Sequence, residues 1–370
     1  MRIALVAPPF IPVPPKRYGG TELFIAHLAC GLLRLGHEVI VYANGESSLE
    51  CEVRALYPTS EWPLASDVNS NLKDFNHTAW ACEDAAGSVD LIHLNNAPGL
   101  AFSRFLAEPI VYTLHHAHDA GLSDFYASYP NVTYVTISEF QRTKEKMPRM
   151  ASIHHGLDLE RYPLVERKQP YLCFLGRIAP AKGPHLAIEA AKKAGIPLKI
   201  AGEIQPVYRD YWERQVRPLV DDRFIEFVGE ADHQAKVELL GNSLAMLFPI
   251  QWDEPFGLVM VEAMACGTPV LALPGGSVPE IVRDGVSGWM CEHVDEMAAR
   301  ARGLALSPVA CRRYAAEHFS IDTMARRYER VYQDAIARRL ETRRTVPQAA
   351  RPRPAVVGST AISVTVPAPR

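Results

Sequence analysis

Residues 1–42 read MRIALVAPPFIPVPPKRYGGTELFIAHLACGLLRLGHEVIVY, and the pattern within them is strand, loop, helix, strand. Ile3 to Ala7 is a compact apolar run, and the proline-rich residues 8–15 can continue neither a ladder nor a helix. Gly19-Gly20 opens the helical stretch. Phe24, Leu28, Leu32 and Leu35 recur at helical spacing, Gly36 takes the stop position, and Val39 to Tyr42 is again uniformly apolar. A strand buried on both faces and followed by a helix is the building unit of a parallel sheet. Outward from this unit the same alternation continues at Leu91–Leu94, Ile110–Leu114 and Val132–Ile137, the last ending at Ser138, an N-cap for a helix over Glu139–Lys146.

Residues 158–170 are polar and broken by Pro163 and Pro170, which marks an interdomain linker. Beyond it, apolar runs at Tyr171–Leu175, Leu198–Ala201, Phe224–Val228, Ala245–Pro249 and Val270–Leu273 alternate with helical spacing such as Leu186, Ala190, Ala191 and Ala194. The expectation is α/β throughout: a Rossmann-like domain over 1–165, a second over 166–319, and a charged helix over 320–340 returning to the first domain. Residues 341–370, with five Pro, five Arg and one Glu, are expected to be a disordered tail.

Composition narrows the function classes. The 370 residues are 48% hydrophobic and 22% charged, which excludes a disordered or fibrous chain, and at about 100–200 residues per domain two domains are natural. With 39 basic against 42 acidic residues the formal charge is −3, so no broad positive field exists to hold nucleic acid. The start lacks the pattern of a signal peptide, and no run reaches the roughly 18–20 apolar residues of a membrane helix. A soluble cytoplasmic protein without stable membrane insertion is expected. Cys30, Cys51, Cys82, Cys173, Cys266, Cys291 and Cys311 are widely spread with no Cys-x-x-Cys pair, and read as reduced core residues.

In parallel sheets ligands bind beyond the carboxyl ends of the strands. There lies Asp253-Glu254-Pro255-Phe256-Gly257-Leu258-Val259-Met260-Val261-Glu262, a loop carrying Glu254 and a helix start carrying Glu262. A helix N-terminus offers unpaired N–H groups and partial positive charge to a phosphate or a sugar hydroxyl. Acids near a helix start are favourable in any protein, so this pair alone is weak evidence. Gly176-Arg177 with Lys182 ends the first strand of the second domain and supplies a planar fork and a point charge, able to neutralise a diphosphate without a metal. Pro15-Lys16-Arg17-Tyr18-Gly19-Gly20-Thr21-Glu22 is a glycine turn at a helix start, distinct from the dinucleotide fingerprint Gly-x-Gly-x-x-Gly. His115, His116 and His118 are crowded at a strand end without an acidic or Cys partner at ligand spacing, so no metal site is expected.

Taken together these segments resemble family 4 of the retaining, nucleotide-sugar-dependent glycosyltransferases, which have the GT-B fold of two facing Rossmann-like domains. The resemblance covers roughly residues 1–340. It rests on Glu254 and Glu262, Gly176-Arg177 with Lys182, Tyr18-Gly19-Gly20-Thr21-Glu22, Thr113-Leu114-His115, Gly156-Leu157-Asp158 and Gly275-Gly276-Ser277-Val278-Pro279-Glu280-Ile281-Val282. The start of the chain is similar to sugar transferases of oligosaccharide-antibiotic pathways. The resemblance implies that Arg177 and Lys182 bind the donor diphosphate, that Glu262 accepts from the ribose, and that Glu254 faces the transferred sugar. It further implies backbone contacts from Phe256, Gly257 and Leu258, approach of Gly19 and Gly20 from the first domain, and a catalytic place for His115 near the donor sugar. Gly202 and Val228 are expected beside the nucleotide, with base contacts from the backbone around Val228 and Gly229.

The expected activity is therefore metal-independent, front-face transfer of a hexose-type sugar from a UDP-, GDP- or similar donor to an acceptor hydroxyl, with no cofactor. The rival readings are a sugar-nucleotide epimerase or hydrolase on the same fold, and a non-catalytic nucleotide-sugar-binding protein. Arg142, Lys144, Lys146 and Arg149 form a modest basic cluster, read as a solvated face because Glu139 and Glu145 lie beside it.

Overall fold

A computed structural model describes residues 1–16, 19–62 and 68–345. The first sheet holds seven strands: β1 (Arg2–Val6), β2 (Glu38–Ala43), β3 (Glu52–Ala55), β4 (Leu91–Leu94), β5 (Ile110–Leu114), β6 (Thr133–Thr136) and β7 (Met150–Ser152). The second holds six: β8 (Leu172–Leu175), β9 (Leu198–Ala201), β10 (Ile225–Gly229), β11 (Ala245–Phe248), β12 (Val270–Ala272) and β13 (Gly288–Met290). Every neighbouring pair is parallel. Leu5 stands opposite both Val41 and His93, and Met246 opposite Cys173. Helices cover both faces, which is why the central strands are apolar without alternation.

Strand order runs β3-β2-β1-β4-β5-β6-β7 in the first sheet and β10-β9-β8-β11-β12-β13 in the second. In both sheets the strand order therefore reverses at the centre, between β1 and β4 and between β8 and β11, while the strands stay parallel. At such a point successive crossovers leave for opposite faces and open a crevice beyond the strand ends. The loops after β1, β8 and β11 border those crevices.

The helix Gly20–Arg34 packs on the C-terminal helix Ile321–Thr345, with Phe24, Leu28 and Leu32 sharing a core with Met324, Tyr328 and Tyr332. A buried relay ties that helix to the first sheet: His93 on β4 reaches Tyr332 Oη at 2.7 Å and Thr113 Oγ1 at 2.8 Å, and Thr113 meets Tyr328 Oη at 2.9 Å. Burial holds the His93 pKa down at about 3, so the ring stays neutral in the relay. The helix extends to Thr345 rather than ending at residue 340, and residues 346–370, the rest of the expected tail, lie outside the described residues.

The backbone passes between the domains twice, and the two passages are bonded to each other: Leu157 N–H donates to Phe319 O at 2.8 Å, and Ile321 N–H to Leu157 O at 3.2 Å. The linker is tied down further. Arg312 donates to the carbonyls of Leu159, Tyr162 and Ala265, and Lys168 Nζ donates to Gly241 O at 2.7 Å, Cys266 O at 3.1 Å and Thr268 Oγ1 at 2.7 Å. Both cations sit at the C-terminal end of the helix Leu258–Ala265, where its dipole favours them. Among the described residues no helix is long and apolar enough to cross a membrane.

Candidate active site

Between the two crevices lies a cleft of about 720 Å³. Gly19, Gly20 and Leu23 line it from the first domain, and Gly176, Arg177, Lys182, Gly202, Lys236, Glu254, Gly257, Leu258 and Glu262 from the second. The strand order accounts for this convergence. Gly19 and Gly20 follow β1, Arg177 and Lys182 follow β8, and Glu254 follows β11, so each comes from a strand at a reversal point. Gly257 caps the helix Leu258–Ala265 with φ +79°, a left-handed conformation that lets the chain turn directly from the Glu254 loop into the helix.

The two glutamates are held alike. Glu254, 7% exposed, receives on Oε2 both the Lys182 ammonium and the Trp252 indole N–H, the latter at 2.8 Å, and Lys182 lies 4.9 Å from the Trp252 ring centre. Glu262, 2% exposed, receives on Oε1 both the Lys236 ammonium and the Tyr162 hydroxyl, the latter at 2.8 Å. Among the described residues, neither Glu254 Oε1 nor Glu262 Oε2 has a hydrogen-bond partner, although both side chains line the cleft. Each carboxylate is thus oriented by an ammonium and an aromatic donor on one oxygen, while the other faces the cleft without such a partner. The Arg177 guanidinium, half-buried in the cleft wall, is engaged in no ion pair among the described residues.

His115, Phe256, Val228 and Gly229, all expected near the donor, do not line the cleft. His115 packs at 4.8 Å from the Phe24 ring, stacks on His155 at 5.7 Å, and meets Asn95 Oδ1 at 2.9 Å through Nε2. Burial, together with the neighbouring histidines, pushes its pKa well below the usual value. The Phe256 ring lies in the core between the domains, edge-on to His155 at 5.0 Å, and its carbonyl accepts from Ser277 Oγ at 2.9 Å. Val228 is 43% exposed on β10. Its neighbour Gly229 is engaged through its carbonyl, which accepts from Gly202 N–H at 2.9 Å. Arg17 and Tyr18 of the glycine turn lie outside the described residues. His116 and His118 turn to different partners, Tyr126 Oη at 2.6 Å and Glu145 Oε1 at 3.0 Å. Among the described residues no three His, Cys, Asp or Glu side chains converge as metal ligands.

Lys236, Tyr162 and Trp252 do not stand out in the sequence as site residues. Trp252 lies two positions before Glu254 and was open to recognition as its neighbour, whereas Lys236 and Tyr162 reach Glu262 across 26 and 100 residues and carry no local signal.

Two Rossmann-like domains facing each other across a cleft lined by basic groups and oriented carboxylates make up the GT-B architecture. Residues 18–161 match the family model described as Glycosyltransferase Family 4, and residues 159–317 match that of Glycosyl transferases group 1. The chain belongs to glycosyltransferase family 4, whose members use nucleotide-sugar donors. It is 26% identical to a glycogen synthase of Mycobacterium tuberculosis, over 85% of this chain and 88% of the relative. The fold is similar to that of AviGT4, a glycosyltransferase involved in avilamycin A biosynthesis, with TM-score 0.67 and 23% identity over 91% of this chain and 98% of the other. It is also similar to Anabaena HepE, solved in complex with UDP and glucose, with TM-score 0.70 and 19% identity over 90% of this chain and 100% of the other.

Proposed function

We propose that the chain transfers a hexose from a nucleoside diphosphate to an acceptor hydroxyl with retention at the anomeric carbon and without a metal ion. The observation that carries this reading is the paired arrangement of Glu254 and Glu262, each with one oxygen pinned and one open, on either side of a helix N-terminus beside Arg177. Glu262 Oε2 accepts from the ribose hydroxyls and Glu254 Oε1 from a hydroxyl of the sugar. Arg177 and Lys182 take the diphosphate, and the partial positive charge at the start of the Leu258–Ala265 helix adds to theirs. Donor binding changes the partners of Lys182: as its ammonium turns toward phosphate, Glu254 is left to face the sugar carbon, which becomes positive as the glycosidic bond breaks. The leaving phosphate oxygen takes the acceptor proton on the face the acceptor attacks, so no carboxylate nucleophile is needed. Gly19 and Gly20 bring first-domain backbone toward the phosphate and acceptor side.

HepE binds UDP with glucose, which makes UDP-glucose the first donor to try. A thermal-shift screen of nucleotide sugars tests the reading, because a ligand at 100 times its dissociation constant adds about 2.7 kcal/mol of stability. At least one nucleoside-diphosphate sugar is expected to raise the transition while its free sugar does not. The anomeric coupling of the product by NMR then tests retention, and an inverted product contradicts the mechanism.

A further inference from the structure

Glu280 belongs to the Gly275–Val282 segment and does not line the cleft, yet its carboxylate is engaged on both oxygens by the other domain. The helix Glu139–Lys144 follows β6, and its N-cap Ser138 takes the Gln141 N–H at 3.1 Å. The two N–H groups left at its start go to Glu280: Glu139 N–H to Oε2 at 2.8 Å and Phe140 N–H to Oε1 at 2.6 Å. His154, just beyond β7, adds a third contact through Nε2 to Oε2 at 2.8 Å. Burial raises the Glu280 pKa, but His154 and the two N–H groups outweigh it and hold the carboxyl below its usual range.

The same segment is keyed to the donor loop. Ser277 N–H donates to Glu254 O at 2.9 Å and Ser277 Oγ to Phe256 O at 2.9 Å. Gly276 (φ +61°) lies so close to that loop that a Cβ there would fall 2.2 Å from Glu254 O. Phe256 packs in turn on His154 and His155, at 5.7 and 5.0 Å. A path of hydrogen bonds and ring contacts therefore runs from the first domain through Glu280 and Ser277 to the backbone of Glu254.

We propose that Glu280 is a positioning residue that clasps the second domain to the first and holds the Glu254 loop in register with the acceptor side of the cleft. The clasp depends on the nucleotide-sugar reading only for the claim that residues 253–257 meet the donor. The arrangement is two-sided: the contacts at Glu139, Phe140 and His154 set the domain geometry, and those at Ser277 pass it to the loop.

Amide hydrogen exchange of the full chain, wild type and Glu280→Ala, tests this, with UDP affinity measured alongside. In the variant the amides of Glu139 and Phe140 should exchange about tenfold faster, and so should Ser277, on the other side of the clasp. UDP affinity should stay within about threefold, because Arg177, Lys182 and Glu262 all belong to the second domain. His154→Ala, which keeps the Glu280 carboxylate, should accelerate the same three amides to a smaller degree, and it carries the test should Glu280→Ala fail to fold. Acceleration confined to residues 139–142 would reduce Glu280 to a local helix cap and overturn the proposal, as would unchanged exchange at Glu139 and Phe140. A wild type that binds no UDP removes UDP from the candidate donor nucleotides and leaves the exchange result to judge the clasp by itself.

Discussion

Glu22 is a buried acid whose removal has a worked consequence. It lies in the first turn of the helix Gly20–Arg34, 5% exposed, with its carboxylate against Gly19, where an added Cβ would fall 2.9 Å from Oε2. Burial raises its pKa from 4.5 to about 7, only partly opposed by its own backbone N–H. The folded form thus holds a proton that the unfolded chain releases near pH 4.5. Stability is full below that pH and falls as pH rises through 7. A difference of about 2.5 units at 1.36 kcal/mol each is about 3 kcal/mol across the window. Glu22→Gln keeps the shape and removes the titration. In urea unfolding followed at pH 4.5, 6 and 8, the variant should gain on wild type with each step, by about 3 kcal/mol in all. Subtracting the two curves cancels the groups they share. A stability difference that is flat with pH, or that shrinks as pH rises, would refute the argument.

Other expected outcomes concern the cleft. Glu262→Gln should mainly weaken donor binding and raise KM, since a ribose contact is present equally in ground and transition states, whereas Glu254→Gln should lower kcat; calorimetry with UDP and turnover at saturating donor separate them. Glu262→Gln should also lower Tm by several degrees, because the half-buried Lys236 ammonium then loses its buried carboxylate partner. Tyr162→Phe removes one of two donors to Glu262 Oε1 and should cost about 1–2 kcal/mol in thermal unfolding while turnover at saturating donor holds. Transfer should persist in excess chelator, Arg177 and Lys182 serving as the counter-charge, and complete inhibition rescued by a divalent ion would contradict the metal-free mechanism.

The central strands were legible because burial on both faces leaves an apolar run with no ambiguity of period, as in β1, β4, β5 and β11. β3, β7 and β13 were not. Each is an edge strand of its sheet, and Glu52–Ala55, Met150–Ser152 and Gly288–Met290 are short and largely half-exposed, so they carry no such run. At the site, Arg177, Lys182, Glu254 and Glu262 were visible from chemistry at strand ends, which the strand order then brought together. Lys236 and Tyr162 were invisible because a contact made across the fold leaves no spacing in the chain. His115 shows the converse. Its place after β5 suggested the cleft, but Phe24 from the first helix and His155 from the second side pack around the ring.

The most direct measurement of the central claim is calorimetric titration, in the presence of chelator, of the nucleoside diphosphate that the thermal-shift screen selects into wild type and Arg177→Ala. The account predicts binding by the wild type at one site and a loss of about 2 kcal/mol or more in the variant, roughly thirtyfold in Kd, because a guanidinium without a protein partner is removed from a diphosphate. Equal affinity in the two proteins would contradict the placement of the nucleotide diphosphate in this cleft.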